Sequence, residues 1–125
     1  MGRLTKISDS EYEVMEVLWE DKDWMEIAKI HESLSKARKW AYNTVGTFLI
    51  RLSKKGFVES KKSGRTNLYK AMVTKDEYVD YQTGEFLKSV YKGSKKNLIA
   101  ALYNEENTSD QEIEELIDWV ERRRK

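Results

Sequence analysis

The sequence predicts a mainly α-helical fold with one small β-hairpin, in a chain of 125 residues. Three observations carry this prediction. Apolar residues recur at helical spacing along most of the chain, capping boxes precede three of the expected helices, and a short link containing Gly64 joins two segments of strand character. The length suits one compact domain or two small units.

Residues 1–73 are predicted to hold three helices followed by the hairpin. Ser8 and Glu11 form a capping box, so a first helix begins there and runs to about Asp21. A brief extended stretch at Asp23 to Met25 then leads to a short second helix, which the apolar spacing places at about residues 27–34.

The third helix is amphipathic. Its apolar stripe follows the spacing i, i+3, i+4, i+7 and comprises Val45, Phe48, Leu49 and Leu52. Successive residues are about 100° apart around a helix, so the opposite side carries Asn43, Thr47, Arg51 and Lys54. Gly56 supplies the left-handed stop that is typical just after a helix. The helix therefore presents a basic, hydrogen-bonding outer side.

The hairpin is predicted from residues 57–62 and 66–72, separated by Ser63-Gly64-Arg65, with Gly64 at positive φ. It continues a basic segment, because residues 36–70 hold ten basic residues against one acidic residue. The net charge of this segment is +9, whereas the whole chain carries +1. Such a local field attracts polyanions. The alternative is a solvated face whose lysines keep the protein soluble.

Three helices followed by a basic hairpin is the element order of a winged helix-turn-helix DNA-binding domain. The third helix would enter the major groove, which is about 12 Å wide, and the hairpin would lie along the backbone. Asn43 and Thr44 have a second interpretation, as caps of the helix start. Ile50 is interpreted either as a contact with a thymine methyl group or as an ordinary surface hydrophobe. Trp40 and Tyr42, at the entrance to the helix, are either sugar-phosphate contacts or packed aromatics, and we expect Trp40 in the core. The residues expected to contact DNA are Asn43, Thr44, Thr47, Arg51, Lys54, Lys55, Lys62 and Arg65.

Residues 74–125 have a different character, with nine basic and twelve acidic residues and therefore a net charge of −3. Capping boxes at Thr74 and Ser109 open two of the helices predicted here. The expected helices lie at about 75–92, 95–104 and 110–123.

The apolar residues of this part point to dimerisation. In the first of its helices they are spread widely around the axis, which requires more partner surface than a short acidic segment supplies. We therefore predict a helical dimerisation domain at residues 74–125. The alternative is that these helices fold back on the same chain. The residues expected at the dimer contact are Tyr78, Phe86, Val90, Leu98, Leu102, Ile113, Leu116, Ile117 and Val120.

Composition argues against several function classes. The chain has no cysteine, which excludes disulfides, thiolate metal sites and a cysteine nucleophile, and the single His31 cannot form a metal site alone. No catalytic motif is present, so we expect neither an enzyme nor a cofactor. No apolar segment is long enough for a membrane span or a signal peptide, so we expect a cytoplasmic protein without membrane insertion.

Several stretches, taken in order, resemble the penicillinase-repressor family, of the BlaI, MecI and CopY type. Each is common helix or turn chemistry, and their order and spacing carry the resemblance across nearly the whole chain. The stretches are Ile7-Ser8, Glu13-Val14-Met15, Leu18-Trp19, Thr44-Val45 with Thr47, Ile50-Arg51-Leu52, Lys54-Lys55-Gly56-Phe57, Val90-Tyr91-Lys92-Gly93 and Gln111-Glu112-Ile113-Glu114-Glu115-Leu116.

The resemblance implies a homodimeric repressor on a palindromic operator, typically ahead of beta-lactam-resistance genes. It also implies a membrane sensor-transducer as partner and inactivation by cleavage in the C-terminal region. The family's scissile bond, typically Asn-Phe, corresponds here to Ala101-Leu102, and Gly46 stands where the best-studied relatives carry arginine. Copper-responsive members carry a cysteine pair that this chain lacks, which favours the BlaI and MecI branch.

Two further functions stay open. One is a winged-helix module that binds protein, although the polar outer side of the third helix argues against an apolar docking patch. The other is a repressor of the same family that answers a different signal.

Overall fold

The computed structural model describes residues 4–21, 23–104 and 108–124, and it confirms the mainly α-helical fold with a small sheet. The chain divides into two compact units, Met1–Gln82 and Thr83–Lys125, and this boundary falls within the fourth helix. The functional division between residues 73 and 74 stays a prediction. The elements are α1 Asp9–Glu20, β1 Met25–Glu26, α2 Ile27–Ser35, α3 Tyr42–Lys54, β2 Val58–Ser63, β3 Thr66–Ala71, α4 Lys75–Tyr91, α5 Lys95–Tyr103 and α6 Asp110–Arg123.

The predicted capping boxes at Ser8 and Thr74 are both present. Glu11 N–H donates to Ser8 Oγ over 3.1 Å, and Ser8 N–H donates to Glu11 Oε1 over 2.8 Å. Thr74 and Glu77 repeat this reciprocal pair at 3.0 and 3.1 Å. At α6, the hydroxyl of Ser109 accepts from the third amide of the helix. The helix starts are therefore local features that the sequence encodes.

The sheet has three antiparallel strands in the order β1-β3-β2. Ser63 pairs with Thr66, so the hairpin link is two residues long and the predicted three-residue link is wrong. Gly64 opens this link with φ +65°, as expected. The extended stretch predicted before α2 becomes a true strand, because Met25 pairs with Tyr69 of β3.

The core of the first unit lies between α1, α2, α3 and the inner face of the sheet. The predicted stripe of α3 faces it, with Val45, Leu49 and Leu52 fully buried and Phe48 packed at its edge. Gly56 adopts φ +82° directly after α3 and turns the chain into β2. This packing fixes which side of α3 remains exposed.

The second unit differs from the first, because none of its described residues is buried. Among the described residues, no helix is long and apolar enough to cross a membrane. The large hydrophobic side chains that this unit leaves exposed are Phe86, Val90, Ile99, Leu102, Tyr103, Leu116, Ile117, Trp119 and Val120.

Candidate nucleic-acid interface

One side of α3 is open to solvent along its whole length. It is the side opposite the buried stripe, as the helical spacing predicts, and it carries polar residues with one aliphatic residue among them. We refer to the following five residues as the exposed face of α3: Asn43, Thr47, Ile50, Arg51 and Lys54.

The side chain of Asn43, in the first turn of α3, is available to a partner outside the protein. Ala41 is the N-cap residue, and no side chain caps the helix start. Asn43 and Thr44 therefore do not cap the start of the helix. Asn43 is exposed, whereas Thr44 is half-buried and lies at the edge of the exposed face.

The exposed face offers unused hydrogen-bond donors. Within the residues that the structure describes, the side chains of Asn43, Arg51 and Lys54 make no hydrogen bond or ion pair. Thr47 Oγ1 donates to Asn43 O over 3.0 Å, which leaves the hydroxyl oxygen able to accept. A guanidinium, an ammonium and an amide together suit base edges and phosphate oxygens.

The wing, which comprises β2, β3 and the link between them, adds two basic residues. Arg65 sits in the exposed link, and Lys62 pairs with Asn67 across the strands, all three being exposed. In the described part of the chain, neither Lys62 nor Arg65 has an ion-pair partner. Asn67 is a polar wing residue that the sequence analysis missed, because its cross-strand neighbour depends on the register.

Part of the basic segment is neutralised within the fold. Lys55 Nζ lies 2.8 Å from Glu11 Oε1, and Arg38 Nε lies 3.1 Å from Glu13 Oε1. Both carboxylates come from the acidic α1, which packs against α2 and α3. The ammonium of Lys55 is thus bound to a buried carboxylate, and its predicted contact with DNA stays a prediction.

Two further lysines are turned toward an aromatic ring. Lys61 Nζ lies 4.2 Å from the ring centre of Trp24, and Lys70 Nζ lies 5.9 Å from it. These distances are those of cation–π contacts, which hold the outer face of the wing against the segment before β1. The basic segment is thus divided between residues that contact other parts of the first unit and exposed residues of α3 and the wing tip.

Aromatic residues shape the start of α3. Trp40 packs edge-on against Phe48 with 5.2 Å between ring centres, in keeping with its expected place at the core. Tyr42 is exposed in the first turn and contacts the ring of His31. The only histidine of the chain, His31, forms a hydrogen bond with the backbone, because its Nε2 lies 2.8 Å from Trp40 O. Tyr42, which the sequence interprets either as a sugar-phosphate contact or as a packed aromatic, is exposed and stays a candidate contact.

Gly46 lies beside α2 and not at the centre of the exposed face. A Cβ atom built on it would meet Ile27 Cδ1 at 3.4 Å, which is an ordinary van der Waals distance. A side chain at this position would therefore emerge along the seam between α2 and α3.

The residues predicted for dimerisation fall into two groups. Tyr78 is only 2% exposed and packs in the core of the first unit, so it is not available to a second chain. The other eight are exposed or half-buried within the second unit. Ala101 and Leu102, the predicted cleavage position, are exposed residues of α5.

A family model described as Penicillinase repressor matches residues 7–122 of this chain. The chain belongs to the penicillinase repressor family. This is a family of repressors and not a class of enzyme.

Curated members of the penicillinase repressor family resemble the chain over almost its full length. The penicillinase repressor of Bacillus licheniformis is 31% identical over 121 residues, covering 97% of this chain and 94% of that protein. The methicillin resistance regulatory protein MecI of Mammaliicoccus sciuri is 35% identical over 112 residues, covering 89% of each.

A solved structure from the same family matches part of the chain. It is the solution structure of the monomeric form of BlaI from Bacillus licheniformis in complex with the blaP half-operator. The TM-score is 0.52 at 35% sequence identity, and the match covers 62% of this chain and 94% of that one.

Proposed function

We propose that this protein is a sequence-specific DNA-binding transcriptional repressor that acts as a homodimer on a palindromic operator. The observation that carries the proposal is the set of donors on the exposed face of α3 that have no partner among the described residues. The wing tip adds Lys62 and Arg65, which are also exposed. A relative with 35% identity that was solved on a half-operator supports it.

The two parts of this surface have different tasks. The exposed face of α3 enters the major groove, where Asn43 and Arg51 donate to base edges and Ile50 contacts a thymine methyl group. The wing residues Lys62 and Arg65 meet phosphates or the minor groove. Lys54, in the last turn of α3, is placed to contact the phosphate backbone. Phosphate contacts supply affinity, and base contacts supply the choice of sequence.

Dimerisation is the task of the second unit. Exposed apolar side chains on α5 and α6 leave this unit without a core of its own, so a second copy would bury them. In a symmetric dimer, the two copies of α3 match the two halves of a palindrome. The centres of the half-sites then lie one or more turns of DNA apart, each turn being about 10 base pairs.

Regulation follows the pattern of the family. We propose beta-lactam-resistance genes as targets, a membrane sensor-transducer as partner, and the cytoplasm as location. Proteolysis between Ala101 and Leu102 would separate α6 from the first unit, which carries α3 and the wing. Both residues lie within α5, so cleavage requires that this helix first opens locally. The replacement of the family's usual Asn-Phe by Ala-Leu favours a different signal or protease as the second candidate.

Selection from a random pool of duplexes tests the proposal. Purified protein is incubated with the pool, the bound fraction is sequenced, and the mass of the protein in solution is measured by light scattering. We expect an enriched palindrome and the mass of a dimer. A monomer that enriches nothing at low ionic strength would contradict the proposal.

Two variants make the selection specific to the candidate interface. Arg51→Ala removes a donor from the exposed face of α3, and Lys95→Ala removes an exposed cation from the second unit. We expect the enrichment to fall with Arg51→Ala and to persist with Lys95→Ala. Equal enrichment by both variants would place DNA recognition elsewhere on the protein.

A further inference from the structure

Glu11 is a charged side chain inside the first unit, where it is only 2% exposed. Its partner is Lys55, the C-cap residue directly after α3, and the two are 44 positions apart in the sequence. Lys55 Nζ donates to both carboxylate oxygens, over 2.8 Å to Oε1 and 3.0 Å to Oε2. The pair joins the first turn of α1 to the C-cap of α3.

The carboxylate is also held from its own side. Glu11 Oε1 accepts the backbone N–H of Ser8 over 2.8 Å, and the hydroxyl of Ser8 accepts the backbone N–H of Glu11. The capping box therefore fixes the carboxylate to the start of α1, and Lys55 is fixed in turn. Two of the three donors of the ammonium are used inside the protein.

From this geometry we infer that Glu11 and Lys55 are positioning residues for DNA reading. The pair anchors the end of α3, and with it Arg51 and Lys54, which lie in the same turn. The inference rests on the proposed function and adds that Lys55 acts through Glu11 and not through a phosphate. Lys55, which the sequence assigns to DNA contact, thus holds the C-terminal end of α3 in position.

Charge alone and positioning predict opposite results when Glu11 is changed. Removal of a negative charge close to a DNA-binding surface strengthens the attraction to a polyanion. Loss of the ion pair between Glu11 and Lys55 instead weakens the recognition of bases, because the side chain of Arg51 is no longer held in position relative to the major groove. Glu11→Gln keeps the size of the side chain and removes the charge, so it separates the two effects.

The experiment compares Glu11→Gln, Lys55→Met and Lys55→Arg with the unchanged protein. The probe is the palindromic duplex enriched by selection, with a scrambled duplex of the same composition, each titrated at four salt concentrations. Lys54→Met and Glu16→Gln are matched controls, since each removes one exposed charge close in sequence to the tested residue. Circular dichroism establishes the conditions under which every variant is folded.

We expect Glu11→Gln and Lys55→Met each to lower the preference for the selected duplex by roughly fivefold or more, the equivalent of one base contact. Lys55→Arg should retain the preference, because a guanidinium also pairs with the carboxylate. Lys55→Met should leave the salt slope unchanged, whereas Lys54→Met should reduce it by about one.

Other results would overturn the inference. A fall of about one in the salt slope with Lys55→Met would make Lys55 a phosphate contact. Tighter binding by Glu11→Gln with an unchanged preference would mean that charge alone decides. If Glu11→Gln does not fold, the slope and preference of Lys55→Met decide the question. Failure of the unchanged protein to bind either duplex would contradict the proposed function instead, so the two failures are distinguishable.

Discussion

The backbone N–H of Ile7 donates a hydrogen bond of 3.0 Å to the hydroxyl oxygen of Tyr78, which lies 71 residues further along the chain. Both residues are buried, and the ring of Tyr78 packs against Phe57 and Tyr12. The start of α4 is thereby built into the first unit, together with the segment that precedes α1.

Removal of the Tyr78 hydroxyl should destabilise the first unit. Tyr78→Phe keeps the ring but leaves the buried N–H of Ile7 without its acceptor, so we expect a loss of about 1–3 kcal/mol in the free energy of unfolding. Urea denaturation measures it. The control is Tyr81→Phe, because the hydroxyl of Tyr81 makes no hydrogen bond within the described residues. This change should alter the free energy of unfolding by less than about 0.5 kcal/mol. Equal effects would deny the Ile7 bond a role.

Replacement of Arg51 and replacement of Lys62 should weaken DNA binding in different ways. Arg51→Ala removes a base contact, so binding to the selected duplex should weaken by about 1–3 kcal/mol and the scrambled duplex should be affected less. Lys62→Ala should weaken binding to both duplexes alike and reduce the salt slope by about one. Titrations of both duplexes at two salt concentrations measure this. Small, equal effects of Arg51→Ala on both would exclude base reading by this residue.

Acid should remove the contribution of the Glu11 carboxylate. Burial acts to raise the pKa of Glu11, but the hydrogen bonds from Lys55 and Ser8 and the charge of Lys55 outweigh it, so the pKa lies below the ordinary value of 4.5. A pKa lowered by folding means that the stabilisation is complete above the unfolded-state pKa and is lost as the pH falls through the folded-state pKa.

The measurement is the free energy of unfolding of the unchanged protein and of Glu11→Gln between pH 3 and pH 7, a range chosen around the ordinary carboxyl pKa of 4.5. The advantage of the unchanged protein should be constant near neutrality and should shrink below about pH 4.5. Glu16→Gln serves as the control for loss of one charge from α1. An advantage that stays constant down to pH 3 would contradict the lowered pKa.

Gly46 should be replaceable by alanine with a gain in stability. Alanine favours a helix interior by about 1 kcal/mol over glycine, and the added Cβ meets only Ile27 Cδ1 at 3.4 Å. Gly84→Ala in α4 is the matched control, because outside the adjacent backbone of α4 no described atom lies within 4 Å of its Cβ position. Thermal unfolding compares the two. A loss of stability with Gly46→Ala alone would show that Ile27 cannot accommodate the methyl group.

Local chemistry made much of this fold predictable. The helices, the boxes at Ser8 and Thr74, and the positive φ of Gly56 and Gly64 depend on neighbours in the sequence. The amphipathic spacing of α3 also predicted its exposed face. The strand at Met25 was only half predicted, because its pairing with Tyr69 depends on a segment 44 residues away.

The candidate site was less predictable where long-range partners decide. Counting charges along the chain places Lys55 with the DNA-binding residues, and only the fold brings Glu11 to it. Tyr78 belongs by spacing to an apolar helix of the C-terminal part, yet its ring lies in the core of the first unit. In both cases the deciding contact joins elements that are far apart in the sequence, which periodicity does not encode.

The most direct measurement is an amide NMR titration of the protein with the selected duplex. If α3 reads the major groove and the wing meets the backbone, the largest shifts should occur at Asn43, Thr47, Arg51 and the Gly64-Arg65 link. The amides of α5 and α6 should shift little, because these helices belong to the second unit. Shifts spread evenly over the surface, or confined to α5 and α6, would contradict a DNA-binding surface on α3 and the wing.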